Sequence, residues 1–121
     1  MLLYVYIDIN FVYWGVINLP EDLFSHQTDF YKAMAHPTRL QILEILRPGE
    51  RCVCEIFPAL DLEQSNISRH LSIMKKAGLL QSRKVGLNVH YRVSDPRIFE
   101  LLDLSKDIIR KLWLEKAEMV R

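Results

Sequence analysis

Cysteine is scarce in this sequence, and its two cysteines, Cys52 and Cys54, are separated by one residue. A bridge between them would close a very small ring, so the pair reads as a poor disulfide and as reduced thiols of an intracellular, cytoplasmic protein. Glycine is sparse as well, at four residues, and internal repeats and low-complexity stretches are missing. Without a phosphate-cradling glycine loop or a cluster of nucleophile, base and orienting group, the chain does not read as an enzyme. The apolar run of residues 1–19 has no basic leader and no small-residue cleavage site, and Asp8, Asn10 and Asn18 interrupt it. Its Val, Ile, Tyr, Phe and Trp content favours a strand over a spanning helix, so no membrane partner is expected. Residues 1–20 are read as an apolar N-terminal arm or extension, and residues 21–121 as one compact domain.

Acidic residues are also nearly missing from one long stretch. The formal net charge is only +1, which decides nothing about a polyanionic partner. From Ser65 to Arg97, however, Arg69, Lys75, Lys76, Arg83, Lys84, Arg92 and Arg97 face the single acid Asp95, a local charge of about +6. The same region holds the clearest structural pattern. Ile67, Leu71 and Met74 recur at helical spacing from Ser65 to Ala77, and Gly78 follows where a C-terminal cap belongs. Upstream, helices are expected over Leu23 to Ala35, with Leu23, Phe24, Phe30, Tyr31 and Met34 inside, and from Pro37 to Pro48, with Leu40, Leu43, Ile45 and Leu46 inside. A third short helix, Glu50 to Leu60, would hold the cysteines. Two helices joined by the polar turn Asp61 to Gln64 make a helix-turn-helix. Leu79 to Lys84 and Val89 to Val93 alternate as strands around Gly86-Leu87-Asn88, so a hairpin, or wing, follows the second helix. After Pro96 a long helix keeps Ile98, Leu101, Leu102, Ile108, Ile109, Leu112, Trp113 and Val120 on an apolar stripe that needs a partner, and the first and last helices are read as forming the two-fold interface with a second copy. The fold class is mainly α with a small β-hairpin, a homodimeric winged helix-turn-helix.

The polar face of the Ser65 helix suits the major groove of double-stranded DNA. Gln64, Ser65, Asn66, Ser68, Arg69 and His70 form the expected contact set, because Gln and Asn bridge adenine edges, Arg bridges guanine and short Ser side chains admit the phosphate backbone. Lys75, Lys76, Arg83, Lys84 and Arg92 are expected on phosphates, where they carry no sequence information. Soft thiolates at Cys52 and Cys54 suit arsenic(III), antimony(III), cadmium or lead. On a regular helix, residues two apart differ by about 200° around the axis, so two sulfurs meet one ion only if the helix is frayed or unwound. Ligand binding would then distort the first helix of the pair and move the second, releasing DNA. Only two sulfurs exist per chain, so the third position on arsenic falls to an exogenous thiol, an organic substituent, water or Glu55. A tetrahedral four-ligand zinc site is not expected from these residues alone, although His26 or His36 of either subunit could contribute to one.

The blocks Phe30 to Leu43, Cys52-Val53-Cys54-Glu55-Ile56, Ser65 to Leu71 and Val89 to Val93 together resemble the ArsR/SmtB metalloregulators over roughly Asp29 to Leu104. That resemblance implies a dimeric winged helix-turn-helix repressor of metal or metalloid resistance operons that leaves DNA when its ion binds, with no cofactor required. The Cys-Val-Cys-acidic motif resembles the arsenic-sensing branch, and by that match Cys52 and Cys54 are ligands to an inducer, As(III) or Sb(III). Three departures narrow the match. Phe57 stands where some arsenic sensors carry a third cysteine, the N-terminal cysteines of cadmium and lead sensors are missing, and no histidine follows His90 for a terminal-helix zinc site. The alternatives are a regulator of the same fold sensing another soft metal or thiol oxidation, and a non-sensing DNA-binding or interaction module.

Overall fold

The computed structural model describes residues 22–119. In chain order these form α1 (Leu23–Met34), α2 (Pro37–Ile45), β1 (Arg51–Cys52), α3 (Val53–Ala59), α4 (Gln64–Lys76), β2 (Leu80–Val85), β3 (Asn88–Val93) and α5 (Arg97–Met119). The three strands make one antiparallel sheet in the order β1-β3-β2. The winged helix-turn-helix expected from the sequence is therefore present, with one strand more than the hairpin alone. The expected arm over residues 1–20 and the end of the stripe at Val120 lie outside the described residues.

Local chemistry sets most of the boundaries. His36, held extended before Pro37, ends the path of α1 and caps α2, its Nδ1 accepting the Thr38 N–H at 3.1 Å. Helix α4 closes in a Schellman motif, in which Leu79 N–H donates to the Met74 carbonyl at 2.9 Å and Gly78 N–H to that of Lys75 at 3.0 Å. Gly78 takes φ +87°, which a side chain would resist. Across the wing, Gly86 at φ +66° opens a two-residue turn, as hairpins joined by so short a loop require.

The core gathers Met34, Ile42, Leu43, Leu46, Ile56, Ile67, Leu71, Met74, Leu79, Leu80, Ile98 and Leu102 between α1, α2, α4 and the sheet. The expected α4 stripe is fully inside. Of the expected α1 and α2 faces, Met34, Leu43 and Leu46 are buried and Phe30 and Ile45 pack against the core, but Phe24 is 74% exposed, Tyr31 48% and Leu40 40%, and Ile42 is completely buried in addition. Helix α2 crosses both α4 and α3, so it turns Ile42, Leu43 and Leu46 inward together, and the single-face pattern does not capture that. In α5 only Ile98 and Leu102 are buried, while Ile108, Ile109, Leu112 and Trp113 stand half exposed or more. An ion-pair network holds α5 to α2. Arg47 reaches Glu44 and Asp103, each at 2.8 Å, and Lys106 reaches Glu44 at 2.7 Å. Hydrogen bonds from Arg47 and then Lys106 hold the Glu44 carboxyl down at about 2.

Candidate functional site

Two groups of residues stand close together in the fold: the thiol pair on β1 and α3, and the cationic surface of α4 and the wing. The thiol pair departs from both sequence expectations. Cys52 is not in a helix. It ends β1, paired with His90 of β3, and serves as the extended N-cap of α3 with φ −66° and ψ 145°. Cys54 lies one position inside α3. Extended backbone at one cysteine and helical backbone at the other swing the two side chains together, at a Cα–Cα distance of 5.1 Å, and their sulfurs are bonded as a disulfide. The reading as a poor disulfide is thereby corrected: the small ring closes because its first residue lies outside the helix. The requirement that the helix unwind before both sulfurs meet one ion falls for the same reason.

The surroundings of the pair are unsymmetrical. Cys52 is buried at 4% exposure, and its Sγ accepts the Cys54 N–H at 3.0 Å, while Cys54 is exposed. Glu55 completes a capping box by accepting the Cys52 N–H at 3.2 Å, and its other oxygen lies 3.5 Å from Arg51. Its carboxylate is therefore engaged at the start of α3. Among the described residues no group of three or more His, Cys, Asp or Glu side chains is placed to hold a metal ion. As a reduced dithiol the pair offers two soft donors, a set that fits a thiophilic ion taking its remaining ligands from solution.

On α4, Gln64, Ser65, Asn66, Ser68 and Arg69 are all exposed, on the side away from Ile67, Leu71 and Met74. Lys75 and Lys76 extend that surface into the last turn. His70 is set apart from them. It is half-buried at the junction of α2 and α4, its Nδ1 accepts the Arg39 Nε–H at 3.0 Å, and its ring lies 4.5 Å from that of His36. Burial first, then the charges of His36, Arg39 and Arg69, push the His70 pKa down. Arg39 also donates to the carbonyls of Lys32 and Ala33, so one guanidinium gathers the end of α1, the start of α2 and the middle of α4. His36 is thus occupied by cap and ring contacts. His26 lies exposed on α1, an element away from the thiols.

On the wing, Lys84 and Arg92 are exposed, and Leu87 stands fully exposed at the tip. Arg83 is held by Glu50, its Nε 3.0 Å from both carboxylate oxygens and Nη2 2.8 Å from Oε2. His90 Nδ1 lies 3.3 Å from the same Oε2. The hydrogen bond from Arg83 is the main cause that holds the Glu50 carboxyl below its usual range. Sequence reasoning gives Glu50 no role beyond the start of the expected third helix. Its only signal is its place two residues before Cys52, because its partner lies 33 positions along the chain.

An exposed polar recognition helix followed by a cationic wing defines a winged helix-turn-helix DNA-binding regulator, and not an enzyme. The family model described as bacterial regulatory protein, arsR family, matches residues 36–82. The uncharacterized HTH-type transcriptional regulator Rv0081 of Mycobacterium tuberculosis is 31% identical over 101 residues, 83% of this chain and 89% of that one. Its crystal structure superposes with a TM-score of 0.73 at 31% identity, covering 81% of this chain and 99% of the other. The arsenic resistance transcriptional regulator ArsR1 of Pseudomonas putida is 47% identical over 97 residues, 74% of this chain and 76% of that protein. The homodimeric winged helix-turn-helix domain Mb0332 of Mycobacterium bovis, solved by NMR, gives a TM-score of 0.65 at 33% identity, over 70% of this chain and 82% of that one. The chain belongs to the arsR family of transcriptional regulators. Among the described residues, no helix is long and apolar enough to cross a membrane.

Proposed function

We propose that this regulator is a cytoplasmic, metalloid-responsive repressor. It binds operator DNA as a homodimer and is released when As(III) or Sb(III) binds Cys52 and Cys54. The observation that carries the reading is the convergence of the two sulfurs at the junction of β1 and α3, beside the wing. Cys54 is open to an arriving ion and Cys52 closes the site from beneath. The third position on the ion falls to water or an exogenous thiol, since Glu55 is committed to the α3 cap.

The rest of the machine follows from the surfaces described. The uncovered stripe Ile108, Ile109, Leu112 and Trp113 of α5 packs on its equivalent in a second copy, continuing an apolar groove of about 460 Å³ lined by Leu40, Ile45, Leu60, Leu102 and Ile109. Two-fold symmetry then presents two α4 helices to half-sites about one helical turn apart in an imperfect palindrome. In each, Gln64, Ser65, Asn66, Ser68 and Arg69 read bases in the major groove, with His70 at the edge of the set. Lys75, Lys76, Arg83, Lys84 and Arg92 hold phosphates, the wing lying along the neighbouring minor groove.

The test is fluorescence anisotropy on the protein's own upstream DNA under reducing conditions, titrated with arsenite, antimonite, cadmium, lead and zinc. Release by arsenite or antimonite alone supports the proposal, and release by cadmium or lead moves it to another soft metal. Cys54→Ser, at an exposed position, is expected to keep DNA binding and lose the response. If Cys54→Ser still responds fully, the pair is not the sensor. The sulfur bond favours a second reading, in which oxidation of the pair is itself the signal; release by diamide with no effect of arsenite on the reduced protein would select it.

A further inference from the structure

The sheet joins the thiol pair to the wing directly. Cys52 of β1 stands opposite His90 of β3, and His90 stands opposite Arg83 of β2, so the three occupy one row across the sheet. Glu50, immediately before β1, spans the same row by charge, taking two N–H groups of Arg83 and lying against His90. Helix α3 rests on β3 and α2 more than on α4. A displacement of Cys52 therefore reaches the wing through its backbone partners and through Glu50 before it reaches the recognition helix.

We propose that Glu50 is the positioning residue that couples the Cys52–Cys54 pair to DNA, by competing with a DNA phosphate for the guanidinium of Arg83. The proposal rests on the reading of the pair as the inducer site. Arg83 presents its Nε and Nη2 donors to one partner at a time, since the fork that fits a carboxylate is the fork that fits a phosphate. The Glu50 carboxyl is the more enclosed partner, 24% exposed against 66% for the Arg83 side chain. In the operator complex Arg83 turns outward to a phosphate. When the pair closes on an ion, β1 is fixed, Glu50 retains Arg83, and the wing loses that contact.

The experiment uses the full-length chain and its Glu50→Gln variant. Operator affinity is measured by anisotropy with and without arsenite, and arsenic stoichiometry by elemental analysis after gel filtration. Coupling between two sites commonly amounts to roughly 5- to 150-fold in affinity. The variant is expected to bind operator as well as or better than the parent and to take up arsenic equally, with its arsenite-dependent loss of affinity smaller by about fivefold or more. Arg83→Gln should abolish the difference between Glu and Gln at position 50, so that the pair is non-additive. Glu50→Gln with normal arsenic uptake and a parental arsenite response overturns the coupling role and leaves the inducer site intact. A parent protein that takes up no arsenic, or stays on DNA when it does, overturns the inducer reading and the coupling with it.

Discussion

Replacing Lys84 with Ala should change how binding depends on salt more than it changes which DNA is bound. Lys84 is exposed on β2, one residue beyond Arg83, and makes no ion pair among the described residues. Each phosphate neutralised by a cation contributes a slope of about −0.9 to the plot of log affinity against log salt. Between about 50 and 200 mM salt, one contact fewer per chain leaves the variant about 3.5-fold less weakened by salt than the parent, and two per dimer about 12-fold. Arg83→Ala should flatten the slope by less, because an Arg83 that leaves Glu50 for a phosphate strands the Glu50 carboxylate, whose own counterion uptake offsets part of the release from DNA. The assay is anisotropy at four salt concentrations on the operator and on a scrambled duplex. The ratio of the two affinities should survive Lys84→Ala and fall with Arg69→Ala, since a bidentate base contact discriminates by about 1–3 kcal/mol. A Lys84→Ala line parallel to the parent's, or equal effects of Lys84→Ala and Arg69→Ala on operator preference, would refute the division into phosphate and base contacts.

Two further expectations concern stability and assembly. Because burial and nearby positive charge lower the His70 pKa, the folded state binds fewer protons there than the unfolded chain in the window just below pH 6.5. His70 therefore makes the fold lose stability as pH falls from 6.5 toward the lowered value, and urea unfolding at pH 7.5 and 5 should show a smaller loss for His70→Gln; an equal loss would clear His70 of that role. Leu112→Glu, on the uncovered stripe of α5 at 57% exposure, should leave the domain folded by circular dichroism but monomeric by sedimentation. It should also weaken operator binding by more than tenfold, and an intact dimer would place the two-fold interface elsewhere.

The parts of the fold legible in the sequence are those fixed by local chemistry. Ile67, Leu71 and Met74 with Gly78 define α4 and its end, and the alternation of Val89, Tyr91 and Val93 around Gly86 gives the wing. What escaped the sequence depends on contacts between distant residues. A two-residue strand such as β1 has no periodicity of its own and exists because Arg51 and Cys52 pair with Tyr91 and His90. The sequence pattern places both cysteines on one helix because the boundary that separates them is made by that pairing. The pairing of Arg83 with Glu50 and of His70 with Arg39 escaped for the same reason, with partners 33 and 31 residues apart. The α5 stripe was legible as apolar, but its exposed half is visible only once the single chain has used the buried half at Ile98 and Leu102.

Only Ala77, Gly78 and Leu79 separate the recognition helix from the first strand of the wing. Those residues are fastened on both sides, by the Met74 and Lys75 carbonyls and by Ser94, whose N–H donates to the Leu79 carbonyl at 2.9 Å. Helix α4 and the hairpin thus have no hinge between them. On the proposed reading of the DNA contacts, the spacing from major to minor groove is set like the jaws of a fixed-gap caliper, so a tilt that reaches the wing first would be carried on into α4.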